Sequence, residues 1–567
     1  MGVPSFFLWL INNFGIKNII VPKLNKKANR LYIDANCAIH PKCFEILKKY
    51  QEEKLVDVDM MEEDMINNII NYFDFLIDNV SPTDIVYISV DGVAPMAKIQ
   101  QQRKRRYKAP IEENLRNNIK QKHGITDTIT WSNIVITPGT VFMEKLHNRI
   151  IKYINEKKNI KKLKYIYSSY HVPGEGEHKI LSHIKKSIES DDIYVIYGLD
   201  ADLIFLSFAS QKNNIYLYRE NNQLAEIFKN ITPGLCYINI EKVKNEYYNT
   251  LTKMLNHGPG NEYNKQTIGT KLIMKNIIND FILLCFFAGN DFLPGVPSIT
   301  ITSSMNKIIE CYITILERTH SYLVTNKFDI NTIFFEELVE LICQSEIKQI
   351  RYINKNTENK KKLFNNDPYK LDIMKLENMQ TNITTDHVDI VTGDINHIKS
   401  RYYEYYFGIN EYYNESVDIL VNKYLEGIIW IIRYYFNQCP SWDWYYPYHV
   451  APFLSDILVG IKNSNINNTQ FKSSMPITPF KQLLIVIPKE YDYIIPKSLL
   501  ETINKDSKDH IFIQNLILDT TNKTVFWKCV PYLPFIDHAT VNEIYDNTKF
   551  SKEDSIRNRI DYTPYEI

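Results

Sequence analysis

Short apolar runs, each long enough for one β-strand, alternate with amphipathic stretches in the first 200 residues of the chain. The apolar runs lie at residues 30–34, 85–91, 165–167 and 193–197. The amphipathic stretches lie at residues 60–78, 98–122 and 143–158. Apolar runs without polar alternation are typical of central strands in a parallel sheet. The alternation therefore predicts an α/β fold, with a central, mostly parallel sheet flanked by helices.

Composition excludes several classes of protein. The 567 residues include 66 basic and 66 acidic side chains, so the net charge is zero and a histone-like polyanion binder is excluded. No apolar run approaches the roughly 20 residues of a membrane span, and we expect no membrane association. The eight cysteines form no CxxC pair, which predicts reduced thiols rather than a zinc site or disulfide framework. We expect a cytoplasmic protein, with the nucleus as the alternative.

Acidic residues follow the predicted strands or stand in glycine-flanked turns. They are Asp34, Asp91, Glu175, Glu177, Asp200, Asp202 and Asp291. In open α/β sheets, ligands bind at the carboxyl ends of the strands, so these side chains are expected to converge on one crevice. Carboxylates that lie close together repel one another, and bound cations relieve that repulsion. The alternative for each residue taken singly is an ordinary helix N-cap or turn.

The donor atoms of this acidic set indicate the metal. Oxygen ligands without cysteine or clustered histidine are typical of Mg²⁺, with Mn²⁺ as a substitute. Two such ions, roughly 4 Å apart, suit in-line hydrolysis of a phosphodiester. The pattern therefore predicts a metal-dependent nuclease without indicating which kind.

A predicted helix after Asp91 carries a basic face. Lys98, Gln102, Arg105 and Arg106 are spaced as i, i+4, i+7 and i+8, which places them on one side of a helix. Arginine guanidinium groups match phosphate oxygens in a bidentate geometry. The face is expected to bind a phosphate next to the acidic residues; the alternatives are a solvated helix face and a nuclear-localisation look-alike.

Motifs along nearly the whole chain resemble the XRN-type 5′→3′ exoribonucleases. They include Met-Gly-Val-Pro at 1–4, Val-Asp-Gly-Val-Ala-Pro at 90–95, Pro-Gly-Glu-Gly-Glu-His-Lys at 173–179, Ser-Trp-Asp-Trp-Tyr-Tyr-Pro at 441–447 and Pro-Phe-Lys-Gln-Leu-Leu at 479–484. The resemblance implies a nuclease core like that of flap endonucleases and PIN domains. It also implies a processive hydrolase that removes mononucleotides from single-stranded RNA bearing a 5′-monophosphate, as part of RNA decay.

The resemblance assigns roles to residues of this chain. It implies that the seven acidic residues are the catalytic, metal-binding set, and that Lys98, Gln102, Arg105 and Arg106 bind the 5′-phosphate. It implies that His40 and a tryptophan of residues 441–444, either Trp442 or Trp444, stack on the first base. It also implies a duplex-excluding role for Pro95. For His40 a structural histidine is the alternative, and for the tryptophans plain core aromatics. The aromatic segment at 401–407 departs from the family, because it has tyrosine where lysine is usual.

Composition suggests three segments. An Asn- and Lys-rich stretch separates two parts of the chain. We expect a nuclease domain at 1–350, a connector or insertion at 351–400, and a second, aromatic-rich region at 401–567 that completes the pocket. The protein is expected to be a monomer. The alternative functions are a structure-specific 5′-flap DNA endonuclease and a catalytically inactive scaffold that binds RNA ends.

Overall fold

A computed structural model describes residues 3, 5–126, 129–158, 163–188, 191–221, 234–257, 272–358, 362–381, 388–410, 415–521 and 523–567. Packing divides the chain into two units. The first unit comprises Met1–Lys26, Leu181–Asn356 and Val388–Ser474, and the second comprises Lys27–Ile180, Thr357–His387 and Met475–Ile567. The domains predicted from composition, with boundaries at 350 and 400, differ from this division and stay a prediction.

The strands are short, and most follow one another in the first half of the chain. They are β1 Ile20–Val21, β2 Arg30–Asp34, β3 Ile85–Ser89, β4 Lys164–Ser168, β5 Tyr194–Tyr197, β6 Ile215–Glu220, β7 Leu235–Asn239, β8 Leu518–Asp519, β9 Val530–Pro531 and β10 Tyr565–Glu566.

Most of the remaining regular structure in the described chain is helical. Those before residue 320 are Phe6–Phe14, Ile16–Ile19, Ala35–Glu53, Val58–Val80, Met96–Lys122, Val141–Lys157, Gly176–Lys186, Asp202–Ala209, Ile240–His257, Met274–Phe286 and Ile301–Thr319. Those after residue 320 are Thr332–Cys343, Glu346–Glu358, Pro368–Glu377, Ile395–Phe407, Glu415–Phe436, Leu454–Asn463, Pro479–Val486, Lys497–Lys505, His538–Asn547 and Lys552–Arg557. None of the described helices combines the length and the apolar character that a membrane crossing requires.

The second unit is built on parallel strands. Strand β2 pairs in parallel with β3, and β3 pairs in parallel with β4. Strand β10 adds to β4 in the antiparallel direction. Every residue of β2 is buried, as expected of a strand covered on both faces. The parallel direction brings the carboxyl ends of β2, β3 and β4 to the same edge, which is where the predicted acidic residues follow.

The first unit combines a small sheet with a buried helix. Strands β1, β7, β6 and β5 lie side by side in that order, with β5 parallel to β6 and β7 antiparallel to both of its neighbours. The helix Met274–Phe286 is buried at every position from 277 onward. A helix that is apolar on all sides belongs in a core, and this one leads directly to the turn that carries Asp291.

The predicted α/β class, with parallel strands flanked by helices, is confirmed. The predicted helices at 60–78, 98–122 and 143–158 correspond to Val58–Val80, Met96–Lys122 and Val141–Lys157, and are confirmed with no bound differing by more than two residues. In contrast, the helix Pro368–Glu377 stands within the predicted connector. The sequence Asp-Pro at the start of this helix is typical of a helix N-terminus. In the structure, the Asp367 side chain accepts hydrogen bonds from the amides of Tyr369 and Lys370, and Pro368 is the first helical residue.

Candidate active site

Four of the predicted acidic residues belong to the second unit and lie at the carboxyl edge of its parallel strands. Asp34 ends β2, Asp91 follows β3, and Glu175 and Glu177 flank the first residue of the helix Gly176–Lys186. Asp34, Glu175 and Glu177 are buried. Asp34 occupies the N-cap position of the helix that follows it, yet its side chain makes no capping hydrogen bond. The ordinary N-cap interpretation therefore does not account for Asp34.

Gly176 brings two of these carboxylates to one place. A methyl group at Gly176 would lie 3.1 Å from Oδ1 of Asp34 and 3.2 Å from Oδ1 of Asp91. The amide of Gly176 also donates to Oδ1 of Asp91 at 2.6 Å. Nδ2 of Asn36 donates to the other oxygen, Oδ2, at 2.9 Å. The absence of a side chain at Gly176 thus leaves a small space that is bordered by two anionic oxygens.

The loops that carry Asp91 and Glu175 are joined through their backbones. The amide of Gly92 donates to the carbonyl of Gly174 at 3.0 Å, and the amide of Gly174 donates to the carbonyl of Val93 at 2.8 Å. A methyl group at Gly92 would lie only 2.0 Å from the carbonyl oxygen of Val172. Only glycine therefore fits at position 92.

Two lysines supply positive charge beside these acids. Nζ of Lys98 lies 2.5 Å from Oε2 of Glu175. Nζ of Lys179 donates to the carbonyls of Val90, Ser169 and Val172 at 2.6, 2.9 and 3.0 Å. Burial lowers the pKa of the Lys179 ammonium to about 7, an effect that the nearby Asp91 and Asp34 carboxylates oppose. Sequence reasoning missed Lys179, although it ends the motif at 173–179.

The remaining acidic residues, Asp200, Asp202 and Asp291, belong to the first unit. Asp200 follows β5, and its Oδ1 accepts from the amide of Asp202 at 3.3 Å, as in an ordinary turn. Asp202 begins the helix Asp202–Ala209 and is buried, as is Asp291 after the helix Met274–Phe286. The predicted convergence of all seven acids on one site stays a prediction.

The donor atoms at these positions fit a small divalent cation. They are carboxylate oxygens, and the space at Gly176 is bordered by two of them. Within the described ranges of the chain, no three His, Cys, Asp or Glu side chains are arranged as a ready-made metal site. The chemistry of the donors is therefore the observation that indicates a metal.

The basic helix Met96–Lys122 presents the predicted phosphate-binding face. Arg105 is exposed, and its guanidinium makes no hydrogen bond or ion pair with a described residue. Arg106 is buried, and its Nη1 and Nη2 donate to the carbonyls of Ile134 and Ile136 at 3.2 and 3.3 Å. Oε1 of Gln102 accepts from Nε2 of Gln482 at 2.8 Å. The residue available for direct contact with a phosphate is therefore Arg105, with Gln102 beside it.

His40 lies near the same arginines, on the helix Ala35–Glu53. Burial lowers the pKa of the His40 imidazole to about 3, and the charges of Arg105 and Arg106 act in the same direction. The ring is therefore uncharged at neutral pH, which suits stacking on a base. Pro95, immediately before the basic helix, is buried, and its duplex-excluding role stays a prediction.

The two candidate stacking tryptophans differ in their surroundings in the first unit. The Trp444 ring stacks on the buried Trp430 ring at 5.5 Å between centroids and meets the Phe471 ring edge-on at 6.1 Å. Trp442 is half-buried, and its ring makes no ring–ring contact with a described residue. Its backbone amide donates to Oγ of Ser474 at 2.8 Å. Trp442 is therefore the residue with a ring face available to a ligand.

Two tyrosines of the aromatic segment at 401–407 contact the segment that follows the tryptophans. The Tyr402 hydroxyl donates to the carbonyl of Ala451 at 2.7 Å, and the Tyr403 hydroxyl donates to Oδ2 of Asp456 at 2.6 Å. Nζ of Lys399 lies 2.7 Å from Oδ1 of Asp456, and both side chains are buried. The positive charge at this place comes from Lys399, and the tyrosines serve as buried hydrogen-bond donors.

Comparisons with known proteins indicate the family of this chain. Residues 1–221 match the family model for the XRN 5′-3′ exonuclease N-terminus, and residues 271–396 and 370–562 match the model for the Xrn1 helical domain. The chain is 28% identical to 5′-3′ exoribonuclease 1 of Homo sapiens over 99% of its own length and 35% of the human protein. It is 25% identical to 5′-3′ exoribonuclease 1 of Schizosaccharomyces pombe over 98% of its own length and 49% of that protein.

A plant relative gives similar values. The chain is 27% identical to 5′-3′ exoribonuclease 2 of Arabidopsis thaliana over 96% of its own length and 67% of that protein. It thus spans half or less of the human and fission-yeast relatives and two thirds of the plant relative. The two family models together cover most of the sequence. The chain therefore belongs to the XRN 5′-3′ exonuclease family.

Proposed function

We propose that this protein is a processive, Mg²⁺-dependent 5′→3′ exoribonuclease that degrades single-stranded RNA bearing a 5′-monophosphate. The observation that supports this most is the 2.5 Å contact between Lys98 and Glu175. It joins the basic face of one helix to the acidic residues at the strand ends. A phosphate held by this face would therefore lie beside carboxylates suited to hydrolytic chemistry.

The 5′-phosphate would be recognised chiefly by Arg105. Its guanidinium is exposed and makes no polar contact with a described residue, and charge-assisted contacts to phosphate oxygens are among the stronger hydrogen bonds. Arg106 adds positive charge from a fixed position, because carbonyls of residues 134 and 136 hold it. The Gln102 amide supplies a neutral donor beside them.

The metal would be held by the acidic set defined above, Asp34, Asp91, Glu175, Glu177, Asp200, Asp202 and Asp291. When bound, two Mg²⁺ ions supply an activated water and stabilisation of the leaving oxygen. The carboxylates of this chain would bind these ions. The backbone hydrogen bonds around Gly92 hold the loops that carry Asp91 and Glu175 together.

His40 and Trp442 are the candidates for stacking on the first base. A neutral imidazole and an indole ring offer flat apolar faces that accept any base, which suits an enzyme that advances along RNA of any sequence. Of the two tryptophans, Trp442 is the better candidate because Trp444 already stacks on Trp430. Cytoplasmic location and the monomeric state stay predictions.

Digestion of one RNA sequence with three different 5′ ends tests this function. The RNA carries a 3′ label and a 5′-monophosphate, 5′-triphosphate or 5′-hydroxyl, and each form is incubated with and without Mg²⁺. We expect mononucleotide release only from the monophosphate form with Mg²⁺, and none from the double variant Asp200→Ala/Asp202→Ala. Equal cleavage of all three ends, or internal cuts, would contradict the proposal.

A further inference from the structure

A buried pair of glutamine side chains joins the basic helix to a distant part of the second unit. Nε2 of Gln482 donates to Oε1 of Gln102 at 2.8 Å, across 380 positions of sequence. Gln482 is fully buried, and Gln102 is nine-tenths buried. Oε1 of Gln482 has no hydrogen-bond partner, so the bond to Gln102 is the one hydrogen bond that the Gln482 amide makes among the described residues.

The direction of this bond decides which end of the Gln102 amide faces outward. A glutamine side chain carries one acceptor oxygen and one donor NH₂ group on opposite sides. Because Gln482 donates to the Gln102 oxygen, the NH₂ group of Gln102 is on the other side of the amide. This NH₂ group makes no hydrogen bond with a described residue. A phosphate oxygen accepts a hydrogen bond from NH₂, whereas an amide turned by 180° would present an oxygen to an anion.

The element that carries Gln482 is itself firmly anchored. Gln482 lies in the helix Pro479–Val486, in which every residue but Lys481 is buried. The amide of Phe480, at the start of this helix, donates to Oδ1 of Asn558 at 2.9 Å. A donor on such a rigid element holds its partner in one geometry.

We propose that Gln482 is a positioning residue for recognition of the RNA end: it turns the Gln102 amide so that NH₂ faces the 5′-phosphate. The inference rests on the proposed function and extends it to a residue that does not touch RNA. It assigns a role to the motif at 479–484, which the predicted site did not include.

The test compares the kcat/KM for 5′-monophosphate RNA with that for 5′-hydroxyl RNA of the same sequence. Gln482→Met keeps the length of the side chain and removes the donor. We expect the preference for the monophosphate end to fall about ten-fold, the loss of one modest hydrogen bond to a charged group. The kcat/KM values for the two RNAs are measured on the same preparation of each variant. A lower fraction of folded protein therefore affects both values equally and does not change their ratio.

Three further variants examine whether Gln482 acts through Gln102. Gln102→Met should lower the preference at least as far, and the double variant Gln102→Met/Gln482→Met no further than Gln102→Met alone. Gln102→Glu leaves the Gln482 side chain intact and replaces the NH₂ group with an oxygen, so it should also lose the preference. The matched control is Ile485→Val, a mild core change in the same helix, which should leave the ratio unchanged.

The outcomes separate this inference from the function on which it rests. If the wild type shows no preference for the monophosphate end, both the proposed function and the positioning role of Gln482 are contradicted. If the wild type shows the preference and Gln482→Met slows both RNAs equally, Gln482 is only structural and the proposed function stands. A double variant whose loss is the product of the two single losses would also overturn the positioning role.

Discussion

The ammonium of Lys98 lies 2.5 Å from a carboxylate oxygen of Glu175, and little of either side chain is exposed. Removing one member of a buried ion pair typically costs about 3–5 kcal/mol. We therefore expect Lys98→Met to lower the free energy of unfolding by about that amount. The double variant Lys98→Met/Glu175→Gln should regain at least half of it. Urea denaturation measures both values.

The control for this experiment is Lys48→Met. Lys48 pairs with Glu52 at 3.7 Å on the surface of the helix Ala35–Glu53, where both side chains are exposed. Surface pairs contribute about 0–1 kcal/mol, so this variant should unfold almost as the wild type does. If Lys98→Met lowers the free energy of unfolding no more than Lys48→Met does, Lys98 does not stabilise the buried Glu175 carboxylate as we infer.

Arg105 is expected to dominate recognition of the RNA end. Because its guanidinium is exposed and without a partner among the described residues, Arg105→Ala should leave stability within about 0.5 kcal/mol of the wild type. The preference for monophosphate over hydroxyl ends should fall by about 10- to 100-fold, which corresponds to a charge-assisted contact of about 1.5–3 kcal/mol. Single-turnover cleavage of the two RNAs measures the preference.

Arg116→Ala is the matched control for Arg105. Arg116 lies on the same helix and pairs with Glu112 and Glu377 at 2.9 and 3.1 Å. Its loss removes the same charge from the same side of the helix, three turns or about 16 Å farther along the axis. An equal fall in the end preference would show that Arg105 acts only through the general charge of the helix.

The two tryptophans should respond differently to substitution. Trp442→Ala should weaken binding of an RNA oligonucleotide by about 1–3 kcal/mol, the value of one stacked base, with little change in stability. Trp444→Ala removes packing against Trp430 and should cost about 2–3 kcal/mol of stability, below the value for a fully buried aromatic. Fluorescence anisotropy in EDTA measures binding without cleavage. Weaker binding by Trp444→Ala alone would reverse the assignment.

His40 should make the protein less stable in weak acid. Its pKa in the folded protein, about 3, lies below the value of 6.5 in the unfolded chain, so the unfolded chain binds more protons between these values. The free energy of unfolding should therefore fall as the pH drops below about 6.5, with a contribution from this group of up to about 1.4 kcal/mol per pH unit. The difference between wild type and His40→Asn in denaturation at pH 7 and pH 5 isolates that contribution. Identical slopes would show that His40 is not shielded from protonation.

Metal binding can be followed apart from activity. Mg²⁺ that binds the folded protein should raise its melting temperature in a concentration-dependent way. Asp200→Ala/Asp202→Ala should remove that increase and abolish hydrolysis while the protein stays folded, since the substitution also removes mutual repulsion. Asp418→Ala, an exposed acid on the helix Glu415–Phe436, should behave as the wild type. An unchanged Mg²⁺ effect in the double variant would exclude these two aspartates as ligands.

The sequence predicted local features well and distant contacts poorly. The strand that ends at Asp34 and the helix that bears Arg105 were predictable, because their patterns extend over neighbouring residues. The bond between Gln102 and Gln482 was not, since 380 positions separate the two residues and periodicity carries no information about such pairs. The choice between Trp442 and Trp444 also depended on a packed neighbour, Trp430, that the motif itself does not contain.

The close approach at Gly92 has a mechanical consequence. The loops that carry Asp91 and Glu175 share two backbone hydrogen bonds, and no side chain separates Gly92 from the carbonyl of Val172. Because of these contacts, we expect the two loops to move together and to keep the Asp91 and Glu175 carboxylates at a fixed separation. Under the proposed function, release of a mononucleotide would therefore depend on movement of other elements, and Gly92→Ala would lower activity by forcing these loops apart with every acidic residue still in place.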